Sequence, residues 1–206
     1  MTDRGHFITF EGIDRSGKST QVEMLAEAFG SRAVCVREPG GTPLGESIRH
    51  ILKDSDTPVG PRAEALLFAA ARAELVETVI KPALAEGMIV IADRYIDSSL
   101  AYQGVARGLG LTAIADLNDW AAAGLLPDLT ILIEVDPERA RARGAEEDDR
   151  FEDEGVEFQH KVAAAYDEIA DEDDHRVTRI SGDKPPGEVA TDILDAIGDA
   201  LDVHIA

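Results

Sequence analysis

Short apolar segments recur along the chain and alternate with longer amphipathic ones. The apolar segments are rich in valine and isoleucine and most are continuous, which is typical of strands buried on both faces of a sheet. They are FITF at 7–10, AVCV at 33–36, MIVIA at 88–92, LTILIEV at 129–135 and RVTRI at 176–180. The pattern therefore predicts five strands.

The intervals between these segments have helical periodicity. Helices are predicted over residues 18–29, 62–80, 112–123 and 156–170, and a last one runs from Pro186 to about 201. Alternating strands and helices favour an α/β fold, in which a parallel sheet carries helices on both faces. Neither an internal repeat nor a dividing linker is visible, so we expect a single domain over residues 1–206.

One segment departs from this alternation. Residues 137–154, PERARARGAEEDDRFEDE, contain a single apolar residue larger than alanine, Phe151. The arginines come first in this segment and the acidic residues come later. We expect an exposed, mobile lid that belongs to the same domain.

The charge of the chain changes this picture. There are 41 acidic and 20 basic residues, a formal net charge of −21, and only five of the basic residues are lysines. Such self-repulsion resists compaction at low ionic strength and is relieved by salt. We expect adaptation to a high-salt cytoplasm, and an ordinary acidic protein is the alternative. Nucleic acid is not an expected partner, because its phosphates would be repelled.

Two further features bear on the cellular setting. No apolar run approaches the length of a membrane span, and the N-terminal residues MTDRGHFITF hold no signal-peptide core. A soluble cytoplasmic protein without a membrane partner is therefore expected. The single cysteine, Cys35, has no partner for an internal disulfide, and its place in the run AVCVR predicts a buried strand residue.

A phosphate-binding loop follows the first predicted strand and opens the first helix. Residues 12–19 read G-x-x-x-x-G-K-S, and the flanking strand and helix are the context that this motif requires. Gly12 and Gly17 let the backbone turn its N–H groups inward, Lys18 bridges outer phosphates, and the Ser19 hydroxyl suits Mg²⁺. The strand MIVIA leads to Asp93, whose carboxylate is the second expected ligand of the metal site. The loop predicts a nucleoside triphosphate but leaves the acceptor open.

Half of the basic residues lie in or near motif positions, which calls for an anionic ligand beyond the triphosphate. These ten are Arg15, Lys18, Arg37, Arg49, Arg72, Arg94, Arg139, Arg141, Arg143 and Arg150. A nucleoside monophosphate would fit, because its phosphate has a second pKa of about 6 and needs no general base. Transfer then depends on holding two polyanions in line. Arg15 would lie between donor and acceptor, where its guanidinium binds two oxygens and stays charged.

Several blocks together resemble the thymidylate kinase family, whose members phosphorylate dTMP with ATP. The blocks are FEGIDRSGKST, REPGGTPLGESIR, LLFAAAR, DRYIDSSLAYQG and the arginine-rich lid, and they span residues 7–154 in the order of the family. The resemblance implies a P-loop kinase fold with a five-stranded parallel sheet, a mobile lid, Mg²⁺ dependence and a homodimer. The implied reaction makes dTDP for dTTP biosynthesis.

The resemblance also implies roles for individual residues. Phe68 is expected to stack on thymine, and Arg72 is expected to form a hydrogen bond with the base. Asp14 is expected to hold the 3′-hydroxyl, and Tyr95 to disfavour a ribose 2′-hydroxyl. The full set expected for dTMP is Asp14, Glu38, Arg49, Phe68, Arg72, Arg94, Tyr95, Ser99, Tyr102 and Gln103. The set expected for ATP is Gly12, Ile13, Asp14, Arg15, Ser16, Gly17, Lys18, Ser19, Thr20, Arg139 and Arg143. Ser19 and Asp93 are the expected metal ligands, and the expected catalytic residues are Arg15, Lys18, Asp93, Arg94 and Arg143.

The source of the catalytic arginine stays open at this point. The family supplies it from the phosphate loop or from the lid, whereas this chain has Arg15 in the loop and Arg139, Arg141 and Arg143 in the lid. Alternate residues of a helix do not all face one ligand, so at least one lid arginine is expected to pair with acidic residues instead. The adenine pocket is expected near SGDKPP, residues 181–186.

Two rival functions are weighed against this one. A kinase for another nucleotide or for a deoxynucleoside shares the phosphate loop, but a nucleoside would leave the acceptor-side arginines facing no phosphate. A nucleotide-binding switch is the rival from another class. The base-reading motif N-K-x-D of such switches is absent from the sequence, and lid arginines suit phosphoryl transfer better than signalling.

The charge of −21 makes folding stability depend on salt. Because screening relieves self-repulsion, the free energy of unfolding is expected to rise as KCl increases into the molar range. Urea unfolding curves at increasing KCl measure it. Stability that does not change with KCl would contradict adaptation to high salt.

Overall fold

The computed structural model describes residues 4–54, 56, 58–144, 155–201 and 203. The five predicted strands are present, with bounds that differ by a residue or two from those expected. They are β1 (Phe7–Glu11), β2 (Ala33–Arg37), β3 (Ile89–Asp93), β4 (Leu129–Glu134) and β5 (Val177–Ser181).

Helices connect the strands. They are α1 (Lys18–Phe29), α2 (Pro43–Lys53), α3 (Pro61–Leu75), α4 (Lys81–Ala85), α5 (Ile96–Ser99), α6 (Leu111–Ala122), α7 (Pro137–Ala142), α8 (Gly155–Glu172) and α9 (Pro186–Leu201). A 3₁₀ turn covers Gly30–Arg32, and π-helical segments cover Val76–Ile80 and Leu100–Ala106. Among the described helices, none combines the length and the apolar character needed to cross a bilayer.

The sheet is entirely parallel, with strand order β2-β3-β1-β4-β5. The central strand β1 pairs with β3 on one side and β4 on the other, and Phe10 lies opposite Asp93 in the register. The chain crosses from one half of the sheet to the other beside β1, and the loop after β1 opens there. Ligands bind parallel α/β sheets at such a crossing, outside the carboxyl ends of the strands.

Alternate residues of the central strands pack into two separate hydrophobic cores, one on each face of the sheet. Ile8 and Phe10 belong to one core, which includes side chains of α1, α8 and α9. Phe7 belongs to the other core, with Ile80 and Leu84 from the long helical region before β3. Since successive strand residues point to opposite faces, helices cover both faces of the sheet, as the sequence predicted.

The outer strands are less buried than the sequence suggested. β2 and β5 lie at the edges of the sheet, and within the described part of the chain each pairs with a single strand. The expectation that Cys35 is buried is wrong, because this edge strand leaves it exposed. In β5, Arg179 likewise faces solvent. Apolar composition alone does not distinguish an edge strand from a central one.

The helix predicted over 62–80 is longer and interrupted. It runs as α3, then a π-helical segment, then α4 to Ala85. Pro82 lies in the first turn of α4 and has no backbone N–H to donate, so the regular ladder changes just before it.

Only the first part of the predicted lid is described. Residues 137–142 form α7, where the Asp136 carboxylate accepts hydrogen bonds from the backbone N–H groups of Glu138 and Arg139. Pro137 occupies the first turn, a favoured position for proline. The rest of the expected lid, residues 145–154, lies outside the described residues, and with it Arg150 and Phe151.

Candidate active site

A cavity of about 960 Å³ opens at the carboxyl ends of β1, β2 and β3. All ten residues expected for the acceptor nucleotide line it, together with Arg15, Lys18, Ser19 and Asp93 from the donor side. Arg37 and Lys53 also line it, so five arginines and two lysines face one cleft in a chain of net charge −21. The sequence motifs thus converge in space, although they come from segments far apart in the chain.

The phosphate loop has the backbone that its glycines permit. Gly12 and Gly17 have φ values of 139° and 101°, and Gly17 caps the start of α1. A Cβ at Gly12 would lie 2.5 Å from the carbonyl oxygen of Ile133, so a side chain has no room there. The loop therefore depends on glycine at these two positions.

Lys18 is folded into this loop and is almost fully buried. Its ammonium group donates to the Ile13 carbonyl oxygen at 2.7 Å and to Ser16 Oγ at 3.3 Å. Burial, reinforced by the nearby charge of Arg94, lowers the pKa of Lys18 to about 8. An arriving phosphate would offset both effects by pairing with the ammonium group.

Ser19 and Asp93 bring two hard oxygen ligands together beside the loop. Ser19 Oγ donates to Asp93 Oδ2 at 2.6 Å, and both residues line the cavity. Among the described residues, there is no cluster of three or more metal-binding side chains. Mg²⁺ commonly takes one or two protein oxygens and completes its shell with water and phosphate oxygens, so this pair fits the Mg²⁺ that the sequence resemblance implies.

Arg94 is the most connected cation of the site. Its φ of 72° is unusual for a residue other than glycine, and its guanidinium donates to the Gly12 carbonyl oxygen at 3.0 Å and to Asp14 Oδ1 at 2.5 Å. Burial opposes its charge, but Tyr102 and Asp14 outweigh that effect and raise the pKa of Arg94. Burial likewise opposes the charge of Asp14, yet Arg94 and Lys18 outweigh it and lower the pKa of this carboxyl group.

The strained backbone of Arg94 is fixed by Glu11, a buried carboxylate that the sequence analysis did not single out. Glu11 accepts hydrogen bonds from the backbone N–H of Tyr95 at 2.8 Å and from Ser98 Oγ at 2.5 Å. It also accepts one from the Tyr166 hydroxyl at 2.8 Å. The carboxylate thus ties β1 to the segment after β3 and to α8, and it holds the residue next to Arg94 in place.

Arg72 and Glu38 form a buried pair at the end of the cavity where the sequence analysis expected the base. Glu38 Oε2 lies 2.6 Å from Arg72 Nη2, and Arg72 Nε also donates to both oxygens of Glu38. Arg72 Nη1 donates to Asn118 Oδ1 at 2.5 Å, while Nη2 also donates to the Tyr95 carbonyl oxygen and to Ser99 Oγ. Most of its donors are therefore occupied by protein, and the guanidinium has one orientation.

The remaining acceptor-side residues surround this pair. Phe68 lies one turn before Arg72 on α3 and lines the cavity, and Arg49 donates to the Pro39 carbonyl oxygen at 3.0 Å. Tyr95 is fully buried, and its hydroxyl donates a hydrogen bond to the Leu125 carbonyl oxygen. The Tyr102 hydroxyl donates to Asp14 Oδ2 at 3.0 Å.

Of the lid arginines that the structure describes, Arg139, Arg141 and Arg143, none lines the cavity. Arg143 donates to the carbonyl oxygens of Arg15, Ser16 and Gly182 at 3.1, 3.0 and 2.8 Å. Arg139 pairs with Asp183 at 2.7 Å. Both arginines thus meet the loop after β5, where the sequence analysis expected adenine. Of the other residues expected for ATP, Ile13 is part of the core and Thr20 is exposed on α1.

Several residues of the site carry no sequence signal on their own. Gln159 of α8 donates to Asp14 Oδ2 at 2.8 Å and so helps to orient that carboxylate. Asn118 lies on α6, whose other polar residues face solvent, and Glu64 lies on α3, where it is buried as Arg72 is. A polar residue on the apolar face of a helix is the one signal that could have identified them.

A phosphate loop, a paired serine and aspartate, and a cationic cleft at one edge of a parallel sheet define a P-loop nucleotide kinase. The sequence profile of the family described as thymidylate kinase matches residues 10–193. The thymidylate kinase of Halothermothrix orenii is 45% identical, over 96% of this chain and 99% of the relative. That of Leifsonia xyli is 47% identical, over 92% of each.

A solved structure agrees with these relatives. The crystal structure of thymidylate kinase from Ehrlichia chaffeensis matches with a TM-score of 0.78 and 36% identity, over 94% of this chain and 98% of that one. The chain therefore belongs to the thymidylate kinase family. Its activity is phosphorylation of dTMP to dTDP, as the sequence motifs predicted.

Glu11 makes the stability of this site depend on pH. Burial, with a further contribution from Asp97, raises the pKa of Glu11 from 4.5 to about 7. Because its pKa is raised in the folded state, protonated Glu11 favours folding. Its contribution to the free energy of unfolding is therefore fully present below pH 4.5 and is lost as pH rises through 7. The variant Glu11→Gln lacks this titration.

Urea unfolding of wild type and Glu11→Gln between pH 4.5 and 8 measures the effect. The difference in unfolding free energy is expected to shift in favour of the variant across this range, by on the order of 1–3 kcal/mol. The other acidic residues titrate equally in both proteins and cancel. A difference that is constant with pH would contradict the assignment.

Proposed function

We propose that dTMP binds in this cavity with its phosphate toward the phosphate loop, where ATP bound with Mg²⁺ donates its γ-phosphoryl group. An oxygen of the dTMP phosphate attacks the γ-phosphorus. The bond from that phosphorus to the β,γ-bridging oxygen breaks, and the products are dTDP and ADP. The observation that carries this proposal is the convergence of five arginines and Lys18 on one cleft.

The chemistry requires positioning rather than a general base. The acceptor phosphate is largely ionised near neutrality, so its oxygen is already a nucleophile. Arg94 and Arg49 are proposed to hold this phosphate, since both line the cavity and Arg94 also contacts the phosphate loop at Gly12. Asp14 is proposed to accept a hydrogen bond from the 3′-hydroxyl of dTMP. Gln159 and Tyr102 orient its carboxylate by donating hydrogen bonds to it.

The base end of the cavity provides recognition. Phe68 is proposed to stack on thymine, and Arg72, held by Glu38, to present its remaining donor capacity to the base. Tyr95 is proposed to occupy the space that a ribose 2′-hydroxyl would need, which favours a deoxynucleotide. Its packing against Phe7 at a ring-centroid distance of 4.9 Å keeps the ring in place.

The donor side has residues suited to ATP and to Mg²⁺. Lys18 is proposed to bind the outer phosphates, and Ser19 and Asp93 to hold the ion, which when bound neutralises charge on the phosphates. Arg139 and Arg143 are proposed to border the adenine, because both contact the loop at Gly182 and Asp183.

Arg15 is proposed as the charge that stabilises the transferring phosphoryl group. It lines the cavity and has a φ of 61°, an unusual backbone for a residue other than glycine. Arg143 instead donates to the carbonyl oxygens of Arg15 and Ser16, so its proposed role is to position the loop. The proposal therefore assigns the transition-state contact to Arg15 and not to Arg143.

We also propose a homodimer in a cytoplasm of high ionic strength. Large apolar side chains remain exposed on three helices that adjoin one another, α2, α3 and α6. They are Leu44, Ile51, Leu66, Leu111 and Trp120. A second copy of the chain, with the same exposed side chains, would bury them in a two-fold contact.

Arg15→Ala tests the mechanism. Because the proposed contact forms in the transition state, kcat for ATP and dTMP is expected to fall by about 10²-fold or more, while KM for ATP changes little. Steady-state rates with Mg²⁺ present measure this, and thymidine in place of dTMP is expected to give no turnover. Arg4→Ala removes an exposed cation paired with Asp128 and serves as the control. Unchanged kcat in Arg15→Ala would move the role to the lid.

Leu66→Glu tests the dimer. A charge at this exposed site of α3 is expected to convert the protein to monomer, as measured by light scattering after gel filtration in high salt. Leu126→Glu places the same charge on an exposed leucine outside α2, α3 and α6, and it is expected to leave the mass unchanged. A wild-type monomer, or a dimer in both variants, would contradict the proposed face.

A further inference from the structure

A buried carboxylate lies directly behind the base end of the cavity. Glu64, on α3, is 1% exposed and lies one turn before Phe68. It accepts a hydrogen bond from Gln103 Nε2 at 2.9 Å. Gln103 belongs to the π-helical segment across the cavity and is itself buried. The hydrogen bond therefore joins α3, which carries the cavity residues Phe68 and Arg72, to the π-helical segment that carries Gln103.

Arg107 fixes Glu64 from the other side. Arg107 Nε donates to Glu64 Oε1 at 3.2 Å, and Nη2 donates to Oε2 at 3.3 Å. The Arg107 guanidinium also lies over the Phe158 ring, 4.8 Å from its centroid. A guanidinium only donates, so both carboxylate oxygens serve as acceptors and the carboxylate has no freedom to rotate.

This arrangement removes an ambiguity that a glutamine normally has. The two ends of an amide have nearly the same shape, and either end can face a neutral partner. A carboxylate held by an arginine accepts hydrogen bonds and does not donate them, so only the Nε2 end of Gln103 can face Glu64. The Oε1 end must then point away from Glu64, and Gln103 lines the cavity.

We propose that Glu64 is a positioning residue for base selection, because it fixes Gln103 with its amide oxygen presented to the pyrimidine. This inference rests on the proposed placement of dTMP. Thymine and uracil carry a proton on N3, which an amide oxygen accepts. Cytosine carries a lone pair there, which the same oxygen repels. Glu64 thereby discriminates against cytosine without touching the nucleotide.

Glu64→Gln tests the proposal. The new amide can donate or accept, so Gln103 is free to turn its own amide over. The ratio of kcat/KM for dTMP to that for dCMP is expected to fall by about tenfold or more. The ratio of dTMP to dUMP is expected to stay constant, because both bases carry the N3 proton. A purely structural defect would lower all three rates together, and that outcome would overturn the proposal.

A second variant guards against loss of folding. Removing one partner of a buried pair is more damaging than replacing both by apolar residues. Glu64→Met with Arg107→Met therefore removes the acceptor without leaving a buried charge, and it is expected to lower the dTMP to dCMP ratio in the same way. Glu77→Gln is the matched control, since Glu77 pairs with Lys81 on the exposed side of the same helical region. It is expected to keep the wild-type ratios.

Gln103→Ala separates this inference from the function on which it rests. If Gln103 contacts the base, the variant lowers the dTMP to dCMP ratio, and adding Glu64→Gln to it causes no further change. If Gln103→Ala leaves the ratio unchanged, the proposed base placement is wrong. If Gln103→Ala lowers the ratio but Glu64→Gln does not, the placement stands and the role of Glu64 is overturned.

Discussion

The structure of the site depends on one constraint: a cation buried in or beside the cleft needs a polar partner before any ligand arrives, and for three arginines that partner is a carboxylate. Arg94 has Asp14, Arg72 has Glu38, and Arg107 has Glu64. An unpaired buried charge is costly, so without these partners the cleft would repel its own side chains. Lys18 instead donates to the Ile13 carbonyl oxygen and to Ser16 Oγ, and burial together with the nearby charge of Arg94 lowers its pKa.

These pairs are better understood as positioning devices than as sources of stability. Buried ion pairs recover little more than the desolvation that they require, but they fix the direction of every donor involved. Each carboxylate comes from a different part of the fold: Asp14 from the phosphate loop, Glu38 from the end of β2, and Glu64 from α3. The cleft is therefore organised before substrate binds, which lowers the entropy lost on binding.

The elements that sequence reasoning could predict were those with local signals. The strands, the phosphate loop and the acceptor-side motifs follow from apolar runs, glycine spacing and family blocks, and the fold and family are confirmed. The pairing carboxylates Glu11 and Glu64 were missed because their partners are up to 155 residues away. The expectation that Cys35 is buried was wrong because β2 lies at the edge of the sheet. The sequence of a strand does not show where that strand lies in the strand order.

The acidic surface and the cationic cleft affect nucleotide binding over different distances. A net charge of −21 repels nucleotides at long distance, whereas the cations of the cleft act over a few ångströms. At an ionic strength of 0.15 M the Debye length is about 8 Å, so salt weakens the long-range repulsion while the partly buried contacts keep their strength. High salt would then favour substrate capture for the same reason that it favours folding. An acidic surface is compatible with a polyanionic substrate only where the binding charges are buried and the repelling charges are exposed.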